Sequence, residues 1–160
     1  MALWNINEDL VNGDKLLLYL TSGHTVIAYA TSCSVQVDSE EIDVSSKFSC
    51  RWHQALNGKA NYSISVDALY CNAASGVSFD DLLAMMVDGE AVDWYMGQES
   101  AWTGSCEDNP HTLDTSAPYY NGKAVVTSVS LEAGNNEMCT CSATLTGAGE
   151  IQKNGSPITN

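Results

Sequence analysis

The amino-acid sequence predicts a mainly β fold with one helix packed on a sheet, and three patterns lead to that prediction. Apolar and polar residues alternate in several segments, as they do in a strand with one buried face. Gly and Asn residues interrupt the alternation where hairpin turns are needed. A single segment has the apolar spacing of an amphipathic helix and capping residues at both ends.

The first elements predict an arm followed by a hairpin. Residues 1–13 are predicted to form an acidic N-terminal arm that includes Trp4. The apolar run Leu16–Leu20 is followed by a turn and by a long alternating strand from Val26, which predicts an antiparallel pair. Residues 40–59 then lose the alternation and gather charges and serines. This segment is predicted to be a long inter-strand loop, of a length that is often functional.

Alternation resumes at Tyr62 and is followed by the helix, predicted at about residues 79–88. Ser78 is placed as its N-cap with Asp81 three residues later, and Gly89 is placed to end it. The apolar stripe that should face the sheet consists of Phe79, Leu82, Leu83, Met86 and Val87.

The C-terminal part predicts one further strand and a hairpin. A strand around Trp94 precedes a second long loop over residues 98–121. The hairpin strands place one set of alternating residues on the buried face: Val125, Thr127, Val129 and Leu131, then Cys139, Cys141, Ala143 and Leu145. Residues 152–160 are predicted to be a polar tail.

Composition limits both the architecture and the function. A chain of 160 residues without a composition shift predicts one domain, residues 1–160. Its net charge of -14 would repel a phosphate backbone, so a conventional nucleic-acid binder is not expected. No apolar run reaches membrane-spanning length, and the N-terminus lacks the pattern of a signal peptide, which predicts a protein made in the cytoplasm without a membrane partner.

No pattern predicts catalysis, a metal or a cofactor. The three histidines lie in no recognisable catalytic motif, so no enzyme activity is expected. Cys139 and Cys141 form a CxC pair, but a second ligand pair at zinc-finger spacing is missing. The cysteines are therefore interpreted as small packing residues.

Four segments, taken together and in this order, resemble the major tail proteins of long-tailed bacteriophages, the family that forms the tail tube. They are Asn12–Tyr19, Val26–Ser34, Gly76–Leu83 and Ser142–Gly149. The resemblance implies a β-sandwich or barrel-like tail tube fold with one flanking helix, assembled as hexameric rings. Stacked rings would form a hollow structural tube in the virion, assembled in the bacterial host cytoplasm, through which genomic DNA passes without specific binding.

The same resemblance implies partners and surfaces. Expected partners are further copies of the chain and the tail terminator, tape measure and distal tail proteins. Small, neutral or acidic residues on the polar strand faces are the candidates for the channel lumen: Ser32, Ser34, Gln36, Asp38, Ser63, Ser65, Asp67, Ser128, Ser130 and Glu132. The candidates for contacts between rings are Trp4, Glu41, Asp43, Phe48 and Trp52.

Two alternative functions are also compatible with the sequence. The inner tube of a contractile injection system or tailocin would share every feature above. A monomeric β-sandwich that binds carbohydrate or protein could instead use loop aromatics as a platform, the candidates being Trp52, Trp102, Tyr119 and Tyr120.

Overall fold

The computed structural model describes residues 10–49, 51–71, 76–100 and 111–158. After a short 3₁₀ turn at Gly13–Lys15, the elements follow in this order: β1 (Leu16–Leu20), β2 (Thr25–Val26), β3 (Ala30–Asp43), β4 (Ala55–Leu69), α1 (Phe79–Asp88), β5 (Val92–Gln98), β6 (Tyr120–Glu132), β7 (Thr140–Gly147), β8 (Gln152–Lys153) and β9 (Ser156–Pro157).

The strands form an antiparallel sheet in the order β2-β1-β5-β6-β7-β4-β3, and β6 is the strand at which this sheet folds over. The first residues of β6, Tyr120 to Ala124, pair with β5. Residues from Ala124 to Glu132 pair with β7 instead. One half of the sheet therefore packs over the other, and the fold is the predicted β-sandwich.

The centre of the sandwich is a contact between strands that are not neighbours in the sheet. Trp94 of β5 is fully buried, and its Nε1 donates to the hydroxyl of Tyr62 on β4 at 3.2 Å. That hydroxyl donates in turn to the backbone carbonyl of Lys123. A Cβ on Gly147 would come within 2.5 Å of the Tyr62 ring, so this position accepts only glycine without a shift of the core.

Replacing Tyr62 by Phe is expected to lower the free energy of unfolding by about 1–3 kcal/mol, because the buried Trp94 N–H loses its acceptor. Chemical denaturation of the purified chain measures this difference. Tyr120→Phe is the control, since Tyr120 is exposed. Equal stability of the two variants would contradict the role assigned to the Tyr62 hydroxyl.

The helix has the predicted bounds, and its caps explain why. The Asp81 carboxylate accepts from the Ser78 backbone N–H and hydroxyl, each at 2.9 Å, and Gly89 ends the helix with a φ of 67°. Val77 and Leu82, on either side of the cap, are both buried. The predicted stripe is wrong in two positions, because Leu83 is 38% and Val87 76% exposed. Phe79 and Met86 pack against the core as predicted, and Met85, which was not in the predicted stripe, packs there as well.

The two adjacent leucines of the helix therefore differ in their expected response to a charge. Leu82→Asp should destabilise the fold by more than about 3 kcal/mol, because it would bury an unpaired carboxylate. Leu83→Asp should leave a folded chain with nearly the wild-type melting temperature, since position 83 is open to solvent. Thermal unfolding monitored by circular dichroism measures both melting temperatures. Equal melting temperatures for the two variants would contradict this assignment.

Two strands depart from the predicted alternation. The strand expected to run on from Val26 stops there and restarts at Ala30, because Tyr29 adopts a φ of 53°, which takes the backbone out of the extended region. In β6 the register shifts between Val126 and Ser128. This bulge puts Ala124 and Val126 in the core and leaves Thr127 exposed, so the predicted buried phase is wrong before the bulge.

The predicted loops and tail are partly paired. Residues 40–59 are not all loop, because β3 extends to Asp43 and β4 begins at Ala55, with Glu41 opposite Asn57. In the second loop, Glu99 bridges to Leu113, while residues 101–110 lie outside the described residues. In the predicted polar tail, β8 pairs with β6 and with β9. These segments pair through backbone hydrogen bonds that a burial pattern does not reveal.

Candidate functional site

The ten lumen candidates lie on one face of the layer formed by β3, β4, β7 and β6. The register joins them into rows across the strands. One row runs Ser32, Asp67, Ser142 and Ser130, a second runs Ser34, Ser65, Thr144 and Ser128, and a third runs Gln36, Ser63 and Thr146. Asp38 lies opposite Asn61, and Glu132 lies opposite Thr140. These residues together are called the hydroxyl face below.

Asp67 is the centre of a hydrogen-bond network on this face. The hydroxyls of Ser142 and Ser32 donate to its two carboxylate oxygens at 2.7 and 2.8 Å. These two bonds hold the pKa of Asp67 below its ordinary value, with the Ser142 bond the larger cause. The carboxylate therefore stays ionised and fixed in direction over the neutral pH range.

The remaining acids of the hydroxyl face are similarly oriented or open to solvent. Gln36 Nε2 donates to both carboxylate oxygens of Asp38 at 3.1 Å. Glu132 is exposed at the end of β6. None of the residues in the rows is Lys or Arg, so the face presents hydroxyls, amides and carboxylates. A phosphate backbone finds no cation to neutralise it on such a surface.

Sequence reasoning left β7 out of the list of lumen candidates. Ser142 and Thr144 lie between the β4 and β6 candidates in the first two rows, and Thr146 follows the β4 candidate in the third row. The Thr146 hydroxyl contacts the Thr127 hydroxyl at 3.2 Å. The signal was present, because the polar residues of β7 alternate with buried Cys141, Ala143 and Leu145. The pairing order of the strands, which the sequence does not give, is what places β7 in the middle.

Four of the five candidates for ring contacts lie within residues 40–59, a segment called the arm below. Residues 44–54 are called its tip. Glu41 and Asp43 lie on either side of the His53 ring, with N–O distances of 3.5 and 3.4 Å. Hydrogen bonds from Ser45 lower the pKa of Asp43. Phe48 is 94% and Trp52 82% exposed. Trp4 lies outside the described residues.

Further sequence predictions concern the cysteines and the binding-module alternative. Cys141 is buried and Cys33 half-buried, and burial raises the pKa of both thiols. The described residues contain no group of His, Cys, Asp and Glu that could hold a metal, and no helix long and apolar enough to cross a membrane. Of the proposed aromatic platform, Trp52 and Tyr120 are exposed, Tyr119 is partly covered and Trp102 lies outside the described residues.

Comparison with known sequences identifies the family of the chain. A family model described as phage tail tube protein matches residues 10–153. The chain belongs to the phage tail tube protein family. This tail tube protein is therefore a structural virion component, as the resemblance implied. No curated protein sequence gives a significant match.

Solved structures agree with this fold. A chain from the virion of a native gene transfer agent particle has a TM-score of 0.67 at 17% identity, covering 90% of this chain and 98% of that one. The SPP1 tail tube has a TM-score of 0.65 at 12% identity, covering 94% and 82%. A chain of the sheath-tube complex of an extracellular contractile injection system has a TM-score of 0.58 at 12% identity, covering 91% and 93%. The mainly β tail tube fold predicted from the sequence is confirmed.

Proposed function

We propose that this tail tube protein assembles into hexameric rings that stack into a tube, with the hydroxyl face lining the channel for genomic DNA. The observation that carries this proposal is the hydroxyl face, whose rows across β3, β4, β7 and β6 contain no Lys or Arg. DNA repelled by ionised Asp38, Asp67 and Glu132 would pass along the wall without being held.

The free edge of β3 supports ring formation. This strand runs for 14 residues and pairs on one side with β4, and its other edge has no partner strand among the described residues. Such a long edge is a template for pairing with another chain. Pairing with a neighbouring subunit would remove the edge and continue the layer around the channel.

The proposal has consequences for partners and location. Copies of the same chain are the main partner, and tail terminator, tape measure and distal tail proteins would meet the ends and the lumen of the tube. Assembly would take place in the bacterial host cytoplasm, and the tube would act without catalysis, cofactor or membrane contact. Glu41, Asp43, Phe48 and Trp52, together with Trp4, would contribute to contacts between rings.

A second candidate is the inner tube of a contractile system. The likeness to a chain from a sheath-tube complex favours it, because that chain has the same fold at a TM-score of 0.58. A sheath around the tube in micrographs of the intact particle would decide for this candidate.

Size-exclusion chromatography followed by negative-stain microscopy of the purified chain tests the proposal. We expect rings or tubes with a central channel. A chain that remained monomeric at high concentration and over a range of salt would contradict it.

A further inference from the structure

The arm tip is a cationic and aromatic surface on a strongly acidic chain. Three of the six Lys and Arg residues lie on the arm, and the tip carries Lys47 and Arg51 but no Asp or Glu. Each cation is followed directly by an exposed aromatic residue, Phe48 or Trp52. Two chains of net charge -14 repel each other, and cations placed at a contact between copies would reduce this repulsion.

The tip is also held in shape by its own hydrogen bonds. Ser49 donates its backbone N–H to the Ser46 carbonyl at 2.9 Å, and Trp52 donates to the Ser49 carbonyl at 3.2 Å. The Ser49 hydroxyl donates to the Gln54 side chain at 3.1 Å. A surface ordered before binding loses less conformational entropy when it docks.

The outer face of α1 has the complementary character. Its residues recur at helical spacing and form a shallow groove: Asp80, Leu83, Ala84, Val87 and Asp88. Leu83 and Val87 are both exposed, so the subunit itself leaves the apolar part of this groove uncovered. An acid stands near each end of this apolar strip, so its charge and its apolar surface both match the tip.

We propose that the arm tip of one subunit docks on the outer face of α1 of a second copy in the neighbouring ring. Phe48 and Trp52 would pack on Leu83 and Val87, while Lys47 and Arg51 would face Asp80 and Asp88. The contact joins two different surfaces of the same chain, and such a head-to-tail contact propagates from ring to ring. The inference rests on the proposed tube, and it names the surface that receives the arm.

The test is a charge exchange between the two surfaces. One variant carries Lys47→Glu and Arg51→Glu, a second carries Asp80→Lys and Asp88→Lys, and a third carries all four substitutions. The critical concentration for tube formation, measured by light scattering and checked by microscopy, should rise about tenfold or more in each double variant. In the fourfold variant it should return to within about threefold of the wild type.

Two controls separate docking from stability. Asp14→Lys with Glu137→Lys makes the same charge change at exposed sites elsewhere and should assemble like the wild type. Asp80→Lys removes an acid from the first turn of the helix, but the fourfold variant shares that change, so its recovery cannot come from stability. Melting temperatures measured by circular dichroism should show that all variants are folded.

The results of the charge exchange separate docking of the tip on α1 from other contacts of these surfaces. The inference is overturned if the fourfold variant assembles no better than the double variants, or if the Asp80 and Asp88 variant forms tubes like the wild type. The latter result would indicate that the outer face of α1 contacts another virion protein or another part of the same chain. A wild-type chain that formed no tubes at all would contradict the proposed function, and the inference with it.

Discussion

Replacing the arm tip by a short turn is expected to give a folded subunit that no longer stacks into tubes. The change substitutes residues 44–54 by an Asn-Gly turn, so that Asp43 and Ala55, which are already paired, remain a hairpin. None of the described residues from 44 to 54 is buried. The core should therefore keep its stability, while the exposed Phe48 and Trp52 and both tip cations are lost.

Tube formation by the tip variant is measured by sedimentation and negative-stain microscopy, with a loss of about a hundredfold or more in polymerised chain expected. The matched control shortens a different exposed turn, residues 134–137, to Asn-Gly. That variant should still form tubes. Long tubes formed by the tip variant would show that the arm is dispensable for stacking.

Reversing the charge of the hydroxyl face is expected to turn a channel that repels DNA into one that holds it. Asp38→Lys with Asp67→Lys reverses two charges in every subunit, and the ring repeats them around the wall. Both positions are exposed, so the subunit should fold and assemble. Short duplex DNA added to preassembled tubes should bind about tenfold or more tightly than to wild-type tubes at low salt, and this difference should shrink as salt rises.

The matched control for the charge reversal moves the same charges off the hydroxyl face, with Glu137→Lys and Glu150→Lys. These tubes should retain less DNA than the channel variant, because the added cations would not surround the DNA on all sides. In virions the channel variant should also eject its genome more slowly. Equal DNA retention by both variants at low salt would contradict the placement of Asp38 and Asp67 at the channel wall.

The parts of the fold that could be predicted are those specified by local sequence. The helix bounds follow from Ser78, Asp81 and Gly89, since caps act within a few residues. The polar and apolar phases follow from alternation over residues 32–38 of β3, 62–68 of β4 and 140–146 of β7, because no register shift interrupts the β3–β4 and β4–β7 pairing within these stretches.

The parts that sequence reasoning missed depend on partners distant in the chain. The bulge in β6 is defined against β7, so the alternation of Val125 and Thr127 gives the wrong buried phase. The ends of the arm pair as strands although almost none of their residues is buried. Without a buried face, the sequence shows no alternation of apolar and polar residues that would predict these strands. Leu83 and Val87 have helical apolar spacing, which cannot separate a face covered by the subunit itself from one available to another chain.

A cryo-electron microscopy reconstruction of the tube formed by the purified chain would show which face of the subunit lines the channel. We expect stacked hexameric rings in which the layer of β3, β4, β7 and β6 faces inward and Asp67 lies at the channel wall. A tube whose channel is lined by α1 or by the β1 and β5 layer, with Asp67 on the outside, would contradict this arrangement.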